Sequence, residues 1–254
     1  TSGLNSMDYI LADKNVVKED EQKYFTEKVY YLPDCYIPSV NDVSRRSSIK
    51  ICSRSEFGLP ENKIVFCAFH NPLKINPKIF SVWMNILKNT KNSVIWIKAD
   101  DKKAIKNLKK EAEKREINSD RIIFTDSIED INDHLKRLKL ADIFLDAYPY
   151  NSHSTVYDYL AADLPMIIME GRSFPSRVAS SIYSSIGLSE LVATSYLDYE
   201  NIAINLANNK SKLLKIKEKI NTQINKHYFF DLKKFTLNLE NIYYKLLKND
   251  RKSV

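Results

Sequence analysis

The sequence predicts a doubly wound α/β protein built on a parallel sheet, and three observations carry that prediction. Short apolar runs alternate with longer amphipathic patterns through the middle of the chain. The runs are apolar at nearly every position, as strands covered on both faces are, rather than alternating. Each run is separated from the next by a helical pattern long enough to carry a parallel crossover.

Taken in order, residues 1 to about 36 hold two strand-like segments, MDYILAD and YFTEKVYYLPD, around an acidic KEDEQ stretch. SVNDVSRRSS, residues 39–48, is short and polar and reads as a linker. NKIVFCAFH is the first buried strand. PKIFSVWMNILKN is a helix, with Pro77 suited to its first turn and Phe80, Trp83, Ile86 and Leu87 on one face. SVIWIKA is a strand, DKKAIKNLKKEAEKR a helix, RIIFTD a strand and IEDINDHLKRLK a helix. ADIFLDAYP is the next strand. It runs into a polar turn, YNSHST, then a short helix and a further strand, LPMIIMEG. SFPSRVASSIYSSIG continues as a helix, and LDYENIAINLANN, KSKLLKIKEKINTQI and LKKFTLNLENIYYKLLK are C-terminal helices.

With 254 residues, 44% of them apolar and 28% charged, the chain has the balance of an ordinary globular protein with a sizeable core. The net charge of +7 raises a nucleic-acid reading. Most of the excess lies in runs such as KKAIKNLKKEAEKR, where lysines at helical spacing form solvated faces, so no nucleic-acid partner is expected. Cys35, Cys52 and Cys67 are odd in number and widely spaced, which suits reduced thiols better than disulfides or a zinc site. No apolar run is long enough to span a membrane and the start shows no signal-peptide pattern, so the expectation is a cytoplasmic protein without a membrane partner. The chain opens on Thr1 without a Met, and a C-terminal piece of a longer polypeptide is expected.

Sheets of this kind bind ligands at the carboxyl ends of their strands. The glycine-dependent phosphate devices are missing: with Gly3, Gly58, Gly171 and Gly187 alone, neither G-x-x-x-x-G-K-[ST] nor G-x-G-x-x-G occurs. G-x-S-x-G and D-x-D are absent too, which argues against a serine hydrolase and against a carboxylate-held metal. The remaining candidate is the turn before the short helix. Ser154 and Thr155 stand at its start, where backbone N–H groups, hydroxyls and the positive end of the helix dipole suit an anion such as phosphate. Singly, Ser154 as a simple cap, His153 as a turn histidine and Asp158 as a surface charge are the commoner roles. Together they point to a site.

The stretch LADIFLDAYPYNSHSTVYDYLAADLPMIIMEGRSFPSRVAS resembles the catalytic region of the O-GlcNAc transferase and SPINDLY family, whose pattern runs LAD-x-x-LD, N-G-H-T-T, D-x-L-W-A-G-x-P and G-x-x-x-x-S-R-V-A-x-S. SRSEFGLPENKIVFCAFHNPLKI and the two N-terminal strand-like segments are similar to further parts of that region, so the resemblance covers nearly the whole chain. It implies the second, Rossmann-like domain of a two-domain GT-B glycosyltransferase. Residues 1–38 would end the first, acceptor-side domain, 39–61 would link, 62–225 would bind the nucleotide sugar, and 226–254 would form a C-terminal helix.

The resemblance also implies roles. Lys74 would approach the diphosphate with Asn71 beside it, in place of a Gln. His134 and Arg137 would lie by the uracil. His153, Ser154 and Thr155 would meet phosphates and sugar, Asp158 the ribose hydroxyls, and Lys74 and His153 would be catalytic. The implied activity is inverting, metal-independent transfer of N-acetylglucosamine from UDP to Ser or Thr hydroxyls of proteins, with the UDP-sugar as co-substrate and no cofactor. The same scaffold with GDP-fucose or UDP-glucose, or an inactive nucleotide-binding module, are the alternatives. Two departures bear on the site: Ser152 stands for a Gly, and AADLP for an A-G-x-P segment, which loses a second glycine.

Overall fold

The computed structural model describes residues 1–38, 52–226 and 232–250, so the polar stretch at 39–48 lies outside the described residues. Strands β1 (Tyr9–Ala12) and β2 (Lys28–Tyr31) pair in parallel, Tyr9 opposite Lys28. The chain then alternates strictly: β3 (Ile64–Ala68), α1 (Pro77–Asn89), β4 (Ser93–Lys98), α2 (Lys102–Glu113), β5 (Ile122–Thr125), α3 (Ile131–Leu138), β6 (Ile143–Leu145), α4 (Val156–Ala161), β7 (Met166–Met169), α5 (Val178–Ser185) and β8 (Val192–Ala193). Helices α6 (Tyr196–Asn208), α7 (Lys210–Lys226) and α8 (Leu232–Asp250) complete the order.

The six strands β3 to β8 form one parallel sheet in the order β5-β4-β3-β6-β7-β8. The chain winds outward from β3 through β4 to β5, crosses back over β3, and winds the other way through β6, β7 and β8. Right-handed crossovers then put α1 and α6, which pack together, on one face and α3, α4 and α7 on the other. Val65, Phe66, Cys67 and Ala68 of β3 and Val94 to Ile97 of β4 are all buried, which is why these runs are continuously apolar. On α1, the expected face of Phe80, Trp83, Ile86 and Leu87 is buried together with Ile79, Val82 and Met84.

Two elements are shorter than their apolar runs predict. Strand β6 stops at Leu145, because the next side chain, Asp146, turns back to accept hydrogen bonds from the turn at residues 147–152. The SFPSRVASS segment splits into a 3-10 turn at Phe174–Ser176 and α5, with Arg177 between them at φ −122°. The two replaced glycines behave differently. Asp163 has φ +56°, the left-handed conformation that glycine takes freely and that Asp tolerates at a cost of about 1 kcal/mol. Ser152 needs no such freedom, and its hydroxyl bonds Asp146 instead.

Candidate functional site at the sheet's switch point

Strands β3 and β6 are neighbours, yet the chain leaves them toward opposite edges of the sheet, so a crevice opens between the loops at their carboxyl ends. The loop after β3 carries His70, Asn71 and Lys74. His70 is buried, donates from Nε2 to the Leu145 carbonyl at 2.9 Å, and packs edge-on against Phe144 and near-parallel to Trp83. Burial drives its pKa down to about 3, so it is neutral, and its 3.8 Å separation from Asp146 is no ion pair. Asn71 caps a 3-10 turn, Pro72–Lys74, by accepting from the Leu73 amide. Asn76 caps α1 and donates Nδ2 to the Tyr148 carbonyl at 2.6 Å, tying this loop to the one after β6.

That second loop is organised by Asp146. Its buried carboxylate accepts from the Ala147 amide at 2.9 Å, the Ser152 amide at 3.0 Å and the Ser152 hydroxyl at 2.9 Å. Burial raises its pKa to about 7 even so, against the pull of those bonds and of Lys74. Tyr199 of α6 bonds the Asp146 carbonyl. Buried Asn151 donates its amide to Pro175 O and its side chain to Ala147 O and Met169 O. The turn is therefore fixed from three sides before it reaches His153.

Lys74 reaches across the crevice to this turn. Its Nζ donates to the Asn151 carbonyl at 3.1 Å and lies 4.4 Å from the centroid of the Tyr150 ring. Burial lowers the Lys74 pKa, and the Asp146 charge opposes that. His153 stacks on the same Tyr150 ring at 4.9 Å and 18° and points Nε2 at Pro175 O, 3.4 Å away; burial lowers its pKa as well. Ser154 and Thr155 are exposed. Thr155 is the N-cap of α4, and its side chain makes no capping bond. Among the described residues the Ser154 and Thr155 amides donate to no protein acceptor, whereas the Val156, Tyr157 and Asp158 amides are already engaged within the turn. Asp158 is half-buried on the first turn of α4.

His134 and Arg137 form a second group on α3. Arg137 is 1% exposed, an unusual depth for a cation on a short amphipathic helix. Its guanidinium lies 4.3 Å from the centroid of Phe69, the residue before His70, and it donates to Asp126 O and to His134 Nδ1, each at 2.8 Å. Burial and the neighbouring Arg137 push His134 down to about 4, so it is neutral and its Nδ1 accepts. Among the described residues the Arg137 Nε has no partner.

The fold thus brings Lys74 to the turn that carries His153, Ser154 and Thr155, with Asn71 on the same loop as Lys74, while His134 and Arg137 contact Phe69 at the start of that loop. Among the described residues no hydrogen bond or ring contact joins the two groups directly. Sequence reasoning missed Asp146 and Asn151, which build the turn, His70, which is buried at the end of β3, and Tyr150, which lies against Lys74 and His153. Their one signal is position, each standing at or just past the end of an apolar run.

Comparison with known proteins bears on this arrangement. The model of glycosyl transferase family 41 matches residues 39–239. Over 252 residues the chain is 32% identical to a probable UDP-N-acetylglucosamine–peptide N-acetylglucosaminyltransferase, SEC, of Arabidopsis thaliana, covering 97% of this chain and 26% of that one. A Caenorhabditis elegans UDP-N-acetylglucosamine–peptide N-acetylglucosaminyltransferase is 31% identical over 196 residues, 77% of this chain and 17% of that protein. The chain thus spans about a quarter or less of the length of these relatives. In fold it is similar to a mutant of the Thermobaculum terrenum O-GlcNAc transferase, with a TM-score of 0.84 at 22% identity over 96% of this chain and 45% of that one. WaaG, a glycosyltransferase involved in lipopolysaccharide biosynthesis, superposes with a TM-score of 0.65 at 14% identity over 94% of this chain and 63% of its own. A Rossmann-like GT-B domain is the architecture these likenesses support.

Proposed function

The chain belongs to glycosyl transferase family 41, and from that premise we propose that it is the donor-binding part of an inverting protein O-linked glycosyltransferase that moves N-acetylglucosamine from UDP to Ser or Thr hydroxyls. The observation that carries the proposal is the meeting, at the sheet's switch point, of the Lys74 ammonium with a turn whose Ser154 and Thr155 amides have no protein acceptor among the described residues.

In this reading the acceptor oxygen attacks the anomeric carbon as the bond to the diphosphate breaks. Charge grows on the leaving oxygen, and a cation with preset N–H donors stabilises that charge more than it stabilises the ground state. Lys74 and the Ser154 and Thr155 amides meet the diphosphate. His153 lies against it and the sugar, with Asn71 at the rim. His134 and Arg137 face the uracil, and Asp158 accepts the ribose hydroxyls, an arrangement suited to a carboxylate. These donors neutralise a diphosphate without a metal ion, and metal independence is part of the proposal. So are a protein acceptor and a cytoplasmic location; the three widely spaced cysteines favour a reducing compartment, and no helix among the described residues is long and apolar enough to cross a membrane.

Titration calorimetry with UDP, and then GDP, tests the reading. Wild type should bind UDP in the micromolar range and prefer it to GDP, with Lys74→Ala weakening UDP about 10- to 100-fold and Asp158→Ala about tenfold, as loss of charge-assisted bonds implies. Preference for GDP would redirect the proposal to a GDP-sugar, and binding unaffected by either substitution would move the donor site elsewhere.

A further inference from the structure

Tyr150 is an outlier in its turn. Its neighbours are held by backbone: the Tyr148 carbonyl by Asn76, Asn151 by Ala147, Met169 and Pro175, Ser152 by Asp146. Tyr150 takes part in none of this. It is 48% exposed, and among the described residues its hydroxyl makes no hydrogen bond. Its side chain touches Lys74, whose Nζ lies 4.4 Å from the ring centroid, and His153, whose imidazole stacks on it at 4.9 Å.

We propose that Tyr150 is a positioning residue of the donor site: its π system holds the Lys74 ammonium and the His153 ring in the places from which both meet the diphosphate. The inference rests on the donor-site reading given above and deepens it. An ammonium has three N–H bonds. The Asn151 carbonyl takes one and the ring face, electron-rich at its centre, accepts the approach of a second, leaving the third for a ligand oxygen. Without the ring, Lys74 would keep one anchor on a four-carbon stem and would have to give up rotamer freedom on binding. A half-buried lysine next to an anion site gains most from being ordered before the ligand arrives.

Because Tyr150 anchors no backbone group, its side chain can be changed without dismantling the turn. UDP titration of the protein carrying Tyr150→Phe, Tyr150→Leu and Lys74→Ala, and of variants with one, three or five ring fluorines on phenylalanine at position 150, separates the roles. Fluorine withdraws charge from the ring face while nearly keeping its shape. The expected result is binding within about twofold of wild type for Tyr150→Phe, about tenfold weaker for Tyr150→Leu, and a stepwise loss with fluorine number. Equal affinity across the fluorinated rings, or a Tyr150→Leu protein that binds as wild type does while Lys74→Ala fails, overturns the role of Tyr150 and leaves the donor site standing. No UDP binding by wild type removes both.

Discussion

Two regions of this molecule use the same vocabulary of Ser, Arg, Asp and a 3-10 turn, and they differ in whether their polar groups are closed. Where the β1–β2 segment meets α5, the buried charges are matched. Asp13 accepts from the Asn15, Val16 and Tyr36 amides and from the Ser181 hydroxyl. Arg177 donates Nε to Gly171 O and grips both oxygens of Glu21 at 2.5 and 2.8 Å, which holds the Glu21 carboxyl below its usual range. Gly171 has to be glycine, since a Cβ there would collide with Ser176 and Tyr148. At the turn after β6 the bonding stops short: the Ser154 and Thr155 amides and a Lys74 N–H are left over among the described residues. Closed networks fix geometry, and unclosed donors in a crevice are available to a ligand.

The largest effect should come from breaking the closed region. Arg177→Ala leaves Glu21 without its partner and the Gly171 carbonyl without a donor. A fully dry pair broken this way costs about 3–5 kcal/mol; Glu21 keeps 26% of its side chain exposed, so about 2–4 kcal/mol is expected. Urea unfolding measures it, and the protein still folded should bind UDP with near-wild-type affinity. A loss below about 1 kcal/mol would mean that other contacts hold these segments together.

The next effect lies under the open region and depends on pH. Asp146, raised to about 7 from an ordinary 3.8, binds its proton more tightly folded than unfolded. Its contribution to stability is fully present below about pH 4 and lost as pH rises through about 7. His70, lowered from 6.5 to about 3, works in the opposite direction: its contribution is present above about pH 6.5 and lost as pH falls toward 3. Between these limits the two oppose, so the wild-type profile alone hides both. Asp146→Asn separates them. Relative to that variant, wild type should gain roughly 2–4 kcal/mol between about pH 8 and pH 4. Denaturant midpoints at several pH values read the difference, and a constant offset would show that Asp146 titrates normally.

These two regions were not equally visible in the sequence. The parallel alternating sheet is legible in β3 and β4, whose runs are apolar throughout because both faces of the sheet are covered there. The anion-suited turn is readable at Ser154 and Thr155, where a helix start comes directly after an apolar run. Lys74 and Arg137 came through family likeness, since nothing in NPLKI or DHLKRLK distinguishes them from other surface cations. Asp146 and His70 show nothing in the sequence beyond their position. Each is a single polar residue after an apolar run, and only the folding back of residues 147–152, or the packing of α1 over β3, turns it from an exposed loop residue into a buried one. The apolar run ADIFLDAYP overstated β6 for the same reason, because periodicity cannot report a side chain that ends a strand by capping the turn beyond it.

The smallest expected change in stability belongs to the residue with the largest expected role in binding. Lys74 is half-buried, and burial disfavours its charge, so the folded protein holds an ammonium at some cost to itself. Lys74→Leu removes that cost and keeps an apolar stem against Tyr150, while leaving the Asn151 carbonyl without its donor, a loss of about 1 kcal/mol. The terms nearly cancel. Stability within about 1 kcal/mol of wild type is expected, by urea unfolding, together with a loss of UDP affinity as large as that of Lys74→Ala. A substitution that destabilised the protein as strongly as Arg177→Ala would place Lys74 with the closed networks and erase the contrast between the two regions.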